Sequence, residues 1–381
     1  LTNISKNTGR RGFKEPLKTP AYSCQNCAQE IWREVTGMQP GFFDLEDRYA
    51  LLEELGDPLP KINEVVDFEA FRATLESTYE VPDPGKGGRP RTDAVLMFKV
   101  LFLQQLYNLS DDQTEYQIRD RYSFARFLGL GPEGRVPDAK TIWLHREQLN
   151  EAGVLEVLFA ELMAQIEAAG YHSRKGQIVD AAMVEAPRSR NRRDENERIR
   201  RGEVPEDWEE AKRRQKDTQA RWARKEGKTY FGYKNHINVD VKYKLIRRFG
   251  VSDAALNDRR MLEVLLDETN SSRALWADAN YRSREWEARL KECGYRSHIQ
   301  RQGHASRPLT EREKRANHRR SKTRIRVEHV FAQQRWMGRT VRTIGLERAR
   351  FKIGMMNFVY NVRRLAWLTV HSPPKGSAVP G

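Results

Sequence analysis

The hydrophobic pattern of this chain changes near Lys175, and the change limits the folds that it can adopt. Upstream, apolar residues recur at helical spacing, and residues 92–107 are apolar almost all round, which predicts a buried helix. Downstream, residues 177–184 follow the two-residue period of a strand, and Pro187 ends that pattern. We therefore predict a helical first part and a sheet that begins only after it.

Helical and strand patterns alternate in the second part. Two N-cap residues, Asp258 and Ser283, precede predicted helices there. Such an order predicts a mixed α/β layer with crossover connections. The predicted strands are 177–184, 230–241, 244–252, 273–278 and 295–300, and the predicted helices are 259–269, 283–293, 310–337 and a last one through Met355 to Trp367.

The first part contains helices on either side of a glycine-containing turn. Ser110 and Gln113 form a capping box at the start of one helix, which is predicted to run through Phe127, and Asp138 caps the next. A helix, a turn and a helix are typical of a DNA reader, although the turn from Gly129 to Pro137 is longer than the strict motif allows. An ordinary helical bundle is the alternative.

Composition shifts divide the chain further. We predict an extraneous or disordered extension at residues 1–37, a helical domain at 38–170, and an α/β domain at 171–370 with a polar insertion at about 188–228. Residues 371–381 form a tail.

The charge of the chain indicates a polyanionic partner. The net charge is +15, and residues 296–335 contain 12 basic and 3 acidic residues. A solvated helix face is one explanation of such a run, but these charges surround an apolar stripe and few acids balance them, which favours phosphate binding. No uncharged apolar stretch reaches the ~18 residues of a membrane span. Three cysteines cannot build a disulfide framework, so a cytoplasmic protein is expected.

Three acidic residues occupy positions where a carboxylate is costly or where ligands gather. Asp180 lies among the apolar residues of a predicted strand, and Asp278 follows the apolar end of another. Glu328 lies within the long basic helix, where Arg324 and Arg335 fall on the same stripe at ~100° per residue. The sequence therefore predicts that this stripe faces the sheet.

Three converging carboxylates are hard oxygen ligands, which suit two Mg²⁺ or Mn²⁺ ions rather than zinc. Such ion pairs stabilise the attacking and leaving oxygens in phosphodiester chemistry. The alternative is that Asp180 and Asp278 are turn or cap acids and that Glu328 only forms ion pairs on its helix. Lys234 and His236 alternate on a predicted strand and therefore share a face, where DNA contact and packing are equally compatible with the pattern.

Several sequence blocks closely resemble the DDE transposases of bacterial insertion sequences, of the IS-five type. The resemblance runs from about Met38 to Trp367. The downstream blocks are Tyr230–His236, Val251–Ala254, Ala277–Ser283 and Arg326–Phe331, and the upstream blocks are Gly41–Asp44, Gly56–Leu59, Gly88–Pro90 and Val136–Thr141.

The resemblance implies an RNase H-like mixed-sheet catalytic core preceded by an all-α N-terminal DNA-binding domain. It places the family's catalytic, metal-binding acids at Asp180, Asp278 and Glu328, separated by 98 and 50 residues. A related family signature puts a basic residue four before and seven after the glutamate, which Arg324 and Arg335 match. The tyrosine of that signature falls on Ser321, so its role is in doubt here.

The function implied is a transposase that cuts double-stranded DNA at element ends and joins the 3′-hydroxyls to target DNA, with two divalent ions. Arg324, Arg335, Lys234 and His236 would contact DNA. A homodimer in a synaptic complex, acting at the nucleoid, is expected from the family. The rival interpretations are a catalytically inactive DNA-binding protein derived from a transposase, and a nuclease that cuts without joining.

Overall fold

The computed structural model describes residues 44–79, 91–131, 133–188, 191–225, 227–338 and 340–374. The predicted extension at 1–37 and most of the tail at 371–381 lie outside this part. The chain divides into two compact units, Leu1–Leu55 and Gly56–Gly381. The first contains helix α1 (Asp44–Glu54), and the elements that follow belong to the second.

The helical region of the second unit runs to residue 168. Its helices are α2 (Leu59–Val65), α3 (Arg72–Glu76), α4 (Ala94–Leu106), α5 (Asp111–Asp120), α6 (Tyr122–Leu128), α7 (Ala139–Ala152) and α8 (Leu155–Ala168), with a 3₁₀ turn at Glu69–Phe71. Two predicted starts are confirmed, since Ser110 and Gln113 form the capping box of α5 and the Asp138 side chain caps α7.

One predicted helix is wrong. The helix expected from Ser110 through Phe127 breaks at Arg121, whose backbone is extended with φ −100° and ψ 115°. The break turns α6 so that Phe124 and Phe127 enter the core, which one straight helix would not allow.

The second half forms a mixed sheet, as predicted, but with six strands where the sequence predicted five. The strands are β1 (Gln177–Glu185), β2 (Arg221–Lys225), β3 (Lys228–Asp240), β4 (Ile246–Asp253), β5 (Ala274–Trp276) and β6 (Arg296–Ser297). β3 pairs antiparallel with β1, β2 and β4, while β5 runs parallel to both β1 and β6. The strand expected at 295–300 is limited to two residues.

The second half also contains helices, of which the last four pack on this sheet. In chain order, the helices are α9 (Arg193–Arg200), α10 (Glu210–Gln215), α11 (Leu262–Leu265), α12 (Arg284–Glu292), α13 (Glu311–Trp336) and α14 (Leu346–His371). The helix expected at 259–269 is wrong, because a 3₁₀ turn at Asp258–Met261 precedes the single turn of α11, and Asn257 rather than Asp258 is its cap. The polar insertion contains α9, α10 and the edge strand β2, none of which was predicted.

The sheet separates two hydrophobic cores. Successive β1 residues face opposite sides, so Ile178 joins the core shared with the helical region while Val179 joins a smaller core with α11 and α12. Helix α14 packs on β4 and on α2, α4 and α8. Its Phe358 ring lies 5.3 Å from Phe98 and 5.6 Å from Phe71. The helical region and the sheet are therefore joined through one continuous core.

Candidate active site

Asp180 lies near the middle of β1 and faces the side of the sheet that α13 covers. It pairs across the ladder with Ile237, and its Oδ1 accepts the backbone N–H of Ala181 at 2.8 Å. Its Oδ2 accepts a hydrogen bond from Nη1 of Arg324 at 2.5 Å. The residue is buried, so its carboxylate depends on this arginine for a counter-charge.

Asp278 follows β5 and begins the 3₁₀ turn Ala279–Tyr281. Its Oδ1 accepts the backbone N–H of Asn280 at 2.8 Å, as a cap does. Because β1 and β5 are parallel neighbours, the carboxyl ends of both strands lie at one edge of the sheet. The half-buried Asp278 is thereby brought towards Asp180.

Glu328 and both predicted arginines lie on α13. Nη1 of Arg324, one turn before Glu328, lies 3.4 Å from the glutamate Oε1. A single guanidinium group therefore contacts both Asp180 and Glu328. Arg335 is exposed near the C-terminal end of the helix.

These five side chains line one cavity of ≈ 380 Å³, which we call the carboxylate pocket. The convergence of a strand residue, a strand-end residue and a helix residue is what the sequence predicted. Sequence reasoning missed other lining residues, among them Lys225, Tyr230, Asn235 and Gln334.

The electrostatics of Asp180 reflect its position. Burial raises the pKa of Asp180 to about 6, the positive charge of Arg324 opposes this shift, and the negative charges of Asp278 and Glu328 add to it. The mutual influence of three acids across one pocket is typical of catalytic carboxylate sites.

Beside the carboxylates lies a closed set of amides, which we call the amide network: Asn235 of β3, Gln334 of α13 and Asn357 of α14. Nδ2 of Asn235 donates to Oδ1 of Asn357 at 2.9 Å, and the reverse bond is 3.0 Å. Nε2 of Gln334 donates to the same Oδ1 of Asn357 at 2.7 Å. All three residues are buried, so the network ties both long helices to the sheet at the pocket.

Lys234 and His236 share the face of β3 opposite to Asn235. Nζ of Lys234 lies 2.7 Å from Oδ1 of Asp258, and Nε2 of His236 lies 2.8 Å from Oγ of Ser252. His236 is 0% exposed, which favours the packing interpretation for this residue. Of these three residues, β3 presents only Asn235 to the carboxylate pocket.

A larger cleft adjoins the carboxylate pocket, since Ala181 and Met183 line both; we call it the cationic groove. Its volume is ≈ 1100 Å³. Positive side chains outnumber carboxylates along it. The positive set is Arg224, Lys225, Lys234, Arg259, Arg282, Arg284, Arg301 and Arg307, and the carboxylates are Asp258, Glu287 and Glu313.

The donor set of the carboxylate pocket suits a divalent ion in its chemistry, because its acidic ligands are carboxylates that face one cavity. In the part of the chain that the structure describes, no three acidic, histidine or cysteine side chains are gathered closely enough to hold one ion. Arg324 instead holds Asp180 and Glu328 together.

Helices before and after a mixed sheet, with carboxylates at its edge, define an RNase H-like core that follows an all-α region. Family models agree with this class: residues 46–148 match the Transposase domain (DUF772), and residues 171–362 match the Transposase DDE domain. The chain belongs to the DDE transposases, the enzymes of insertion sequences, which bind DNA and generally use divalent metal ions. No solved structure matches it. None of the described helices is long and apolar enough to cross a membrane.

Proposed function

We propose that this protein cuts DNA at the ends of a bacterial insertion sequence and joins the freed 3′-hydroxyls to target DNA, through Asp180, Asp278 and Glu328. The observation that carries the proposal is the convergence of these three carboxylates on one cavity from three different elements. Membership of the transposase family supports the same reaction.

In the proposed reaction, water attacks the phosphorus at the element end and the P–O3′ bond breaks, leaving a 3′-hydroxyl and a 5′-phosphate. The 3′-hydroxyl then attacks a target phosphodiester and displaces its 3′-oxygen, without a covalent protein intermediate. Two Mg²⁺ or Mn²⁺ ions, when bound by the three carboxylates, would activate the attacking oxygen and stabilise the leaving one.

The side chains around the carboxylates have separate tasks in this proposal. At neutral pH, above its pKa of about 6, Asp180 is mainly ionised and able to ligate. Arg324 keeps the buried Asp180 and the half-exposed Glu328 on the same side of the pocket. The exposed Arg335 is free of ion pairs with any described residue and is placed to contact a DNA phosphate.

The DNA would lie against the cationic groove, where Arg224 and Arg284, which form no ion pair with a described residue, would neutralise phosphates. Lys234 lines this groove, although its ammonium group is already paired with Asp258. The helical domain would bind the element ends. A homodimer would hold two ends in a synaptic complex, and the protein would act in the cytoplasm at the nucleoid.

The deciding experiment compares the wild-type protein with Asp180→Asn on a duplex that contains the DNA flanking the gene, with and without Mg²⁺. We expect metal-dependent cuts with 3′-hydroxyl ends in the wild type and none in the variant. A supercoiled target plasmid in the same reaction tests joining.

Each other outcome identifies a rival. DNA binding without cutting in both proteins would support the inactive, DNA-binding derivative. Cutting without joining to the plasmid would indicate a nuclease. Equal cutting by Asp180→Asn would exclude the carboxylate pocket as the active site.

A further inference from the structure

A second pocket, on the other side of the loop that follows α13, carries more positive than negative charge. Its volume is ≈ 460 Å³, and it lies between the helical region and the start of α14. We call it the loop pocket. The charged side chains that line it are Arg146, Arg342, Arg348 and Lys352, with Asp111 and Glu147.

Both carboxylates of the loop pocket are already engaged by arginines. Asp111 accepts two hydrogen bonds from Arg146, at 2.6 and 2.9 Å. Glu147 accepts one from Nε of Arg348 at 2.6 Å. Neither acid of this lining is therefore hydrogen-bonded to one of the remaining cations of the pocket.

Those remaining cations are Lys352 and Arg342, and neither forms an ion pair or hydrogen bond with a described residue. Arg342 is exposed, whereas Lys352 is half-buried on α14. Burial and the positive charge of Arg146 together lower the pKa of Lys352 to about 8, and the negative charge of Asp111 opposes this shift. An anion beside Lys352 would offset both effects.

Two buried donors in the same lining also lack partners. Nε of Arg146 and Oγ1 of Thr343 are inaccessible to solvent and form no hydrogen bond within the described residues. Unsatisfied buried donors are costly, so an acceptor that they reach after a side-chain rotation would stabilise this wall. Unpaired cations together with orphan donors suit a tetrahedral oxyanion such as a phosphate group.

The position of the loop pocket relates it to the catalytic site. Gly338 lines both the loop pocket and the carboxylate pocket. A little further along the loop, the N–H of Val341 donates to the carbonyl of Glu185 at 2.8 Å, at the end of the strand that carries Asp180. A DNA backbone that passes the carboxylates can thus place another of its phosphates on the far side of this loop.

We propose that the loop pocket binds a backbone phosphate of DNA through Lys352, Arg342 and Thr343, as an anchor outside the carboxylate pocket. The identity of the bound molecule rests on the proposed function, whereas the chemistry of the pocket does not. A free phosphate ion would use the same groups. The test therefore distinguishes a phosphate of the DNA backbone from a free phosphate ion.

The test measures the affinity for a fluorescein-labelled DNA duplex by anisotropy, between about 50 and 200 mM KCl. We expect Lys352→Gln and Arg342→Gln each to weaken binding about 5- to 10-fold and to reduce the slope of log affinity against log salt by about 1. Lys352→Arg should restore binding. Lys61→Gln removes the same charge from α2, outside the pocket, and should match the wild type.

A second measurement does not depend on a folded variant. In the wild-type protein, acylation of Lys352 at pH 8, followed by peptide mass spectrometry, should slow several-fold when the duplex is bound. Unchanged acylation, together with unchanged affinity of Lys352→Gln and Arg342→Gln, would overturn the proposal.

The remaining outcomes separate the phosphate source from the proposed function. If inorganic phosphate slows the acylation of Lys352 but the duplex does not, and Lys352→Gln binds the duplex as tightly as the wild type, the pocket holds free phosphate and the DNA assignment is wrong. If the wild type binds no DNA at all, the proposed function itself fails. In a protein that already carries Asp278→Asn, Lys352→Gln should weaken DNA binding as much as it does in the wild type, because the anchor does not use the carboxylates.

Discussion

The carboxylate pocket and the amide network are neighbours, yet they satisfy their polar groups in opposite ways. In the amide network, Asn235, Gln334 and Asn357 bond to one another and are closed to solvent. In the carboxylate pocket, Asp180 is buried with its pKa raised, and Glu328 is half-exposed with one long contact to Arg324. Polar groups that face a cavity with spare hydrogen-bonding capacity are available for chemistry, whereas a closed network fixes the geometry of its surroundings.

The difference predicts that the two regions fail in different ways. Removing a carboxylate should abolish the reaction and leave the fold intact. Removing a network amide should weaken the fold and affect the reaction mainly through stability. The four predictions that follow test this contrast, from the largest effect to the smallest.

Asp278→Asn should lower the rate of DNA cleavage by more than about a hundredfold, because even the outer-shell partners of a metal ligand are worth about 10- to 100-fold. The asparagine can still accept the N–H of Asn280, so the unfolding curve and DNA affinity should not change. The measurement is single-turnover cleavage, with Asp112→Asn on the exposed side of α5 as the charge-matched control. A variant that cuts at a tenth of the wild-type rate would contradict the assignment.

Asn357→Ala should lower the free energy of unfolding by about 3 kcal/mol, since it leaves Nε2 of Gln334 and Oδ1 of Asn235 buried without partners, while Nδ2 of Asn235 keeps its bond to Gln334. Urea denaturation measures this loss. Gln333→Ala, on the exposed face of the same α13 as Gln334, should change stability by less than about 0.5 kcal/mol. If the two variants were equally stable, the network would have no structural role.

His236 provides a pH test on the face of β3 opposite to the amide network, where its side chain is fully buried. Burial lowers its pKa from the ordinary 6.5 to about 4. Between these values the unfolded chain binds the proton and the folded one does not, so stability falls as the pH falls from about 6.5 towards 4. The loss attributable to His236 is up to about 3 kcal/mol.

His236→Gln, whose side-chain nitrogen can still reach Ser252, should make this pH dependence shallower. Denaturation of both proteins at several pH values isolates the contribution, because the buried His145, with a pKa also near 4, titrates equally in both. Identical slopes would show that His236 is protonated in the folded state.

Arg335→Gln should have the smallest effect. Its side chain is exposed at the rim of the carboxylate pocket, so we expect DNA binding a few-fold weaker and a salt slope smaller by about 1, with unfolding unchanged. Anisotropy at several salt concentrations measures both. An effect that persists undiminished at high salt would indicate a specific base contact instead.

Much of the fold follows from local sequence signals. The long helix after Thr310 begins and ends within one residue of its predicted bounds. A capping box marks its start, and an unbroken polar-apolar repeat continues to its end at Trp336. The break at Arg121 carries no such signal, since neither glycine nor proline interrupts the pattern there. Packing of Phe124 and Phe127 decides it, and tertiary contacts of that kind are invisible in a local window.

The site shows the same limit. A two-residue period assigned Lys234 and His236 to one face of a strand but could not tell which face of that strand meets α13. In the structure, the face that meets α13 carries Asn235. Likewise, the sequence Arg221–Lys225 is too charged to be predicted as a strand, and it becomes one only because β3 offers an edge. The candidate residues of the site could be chosen from their type, whereas their neighbours depended on the sheet.

The position of α14 has a consequence for synthesis. The helix completes the core of α2, α4 and α8, yet the ribosome produces it after the whole sheet. At about 5–20 residues per second, the helical region waits on the order of ten seconds or more for its last partner. Until then the faces of Phe71 and Phe98 that later meet Phe358 lack that partner. A nascent chain is therefore expected to rely on chaperones. A product truncated before α14 should be degraded rather than accumulate as a partial transposase.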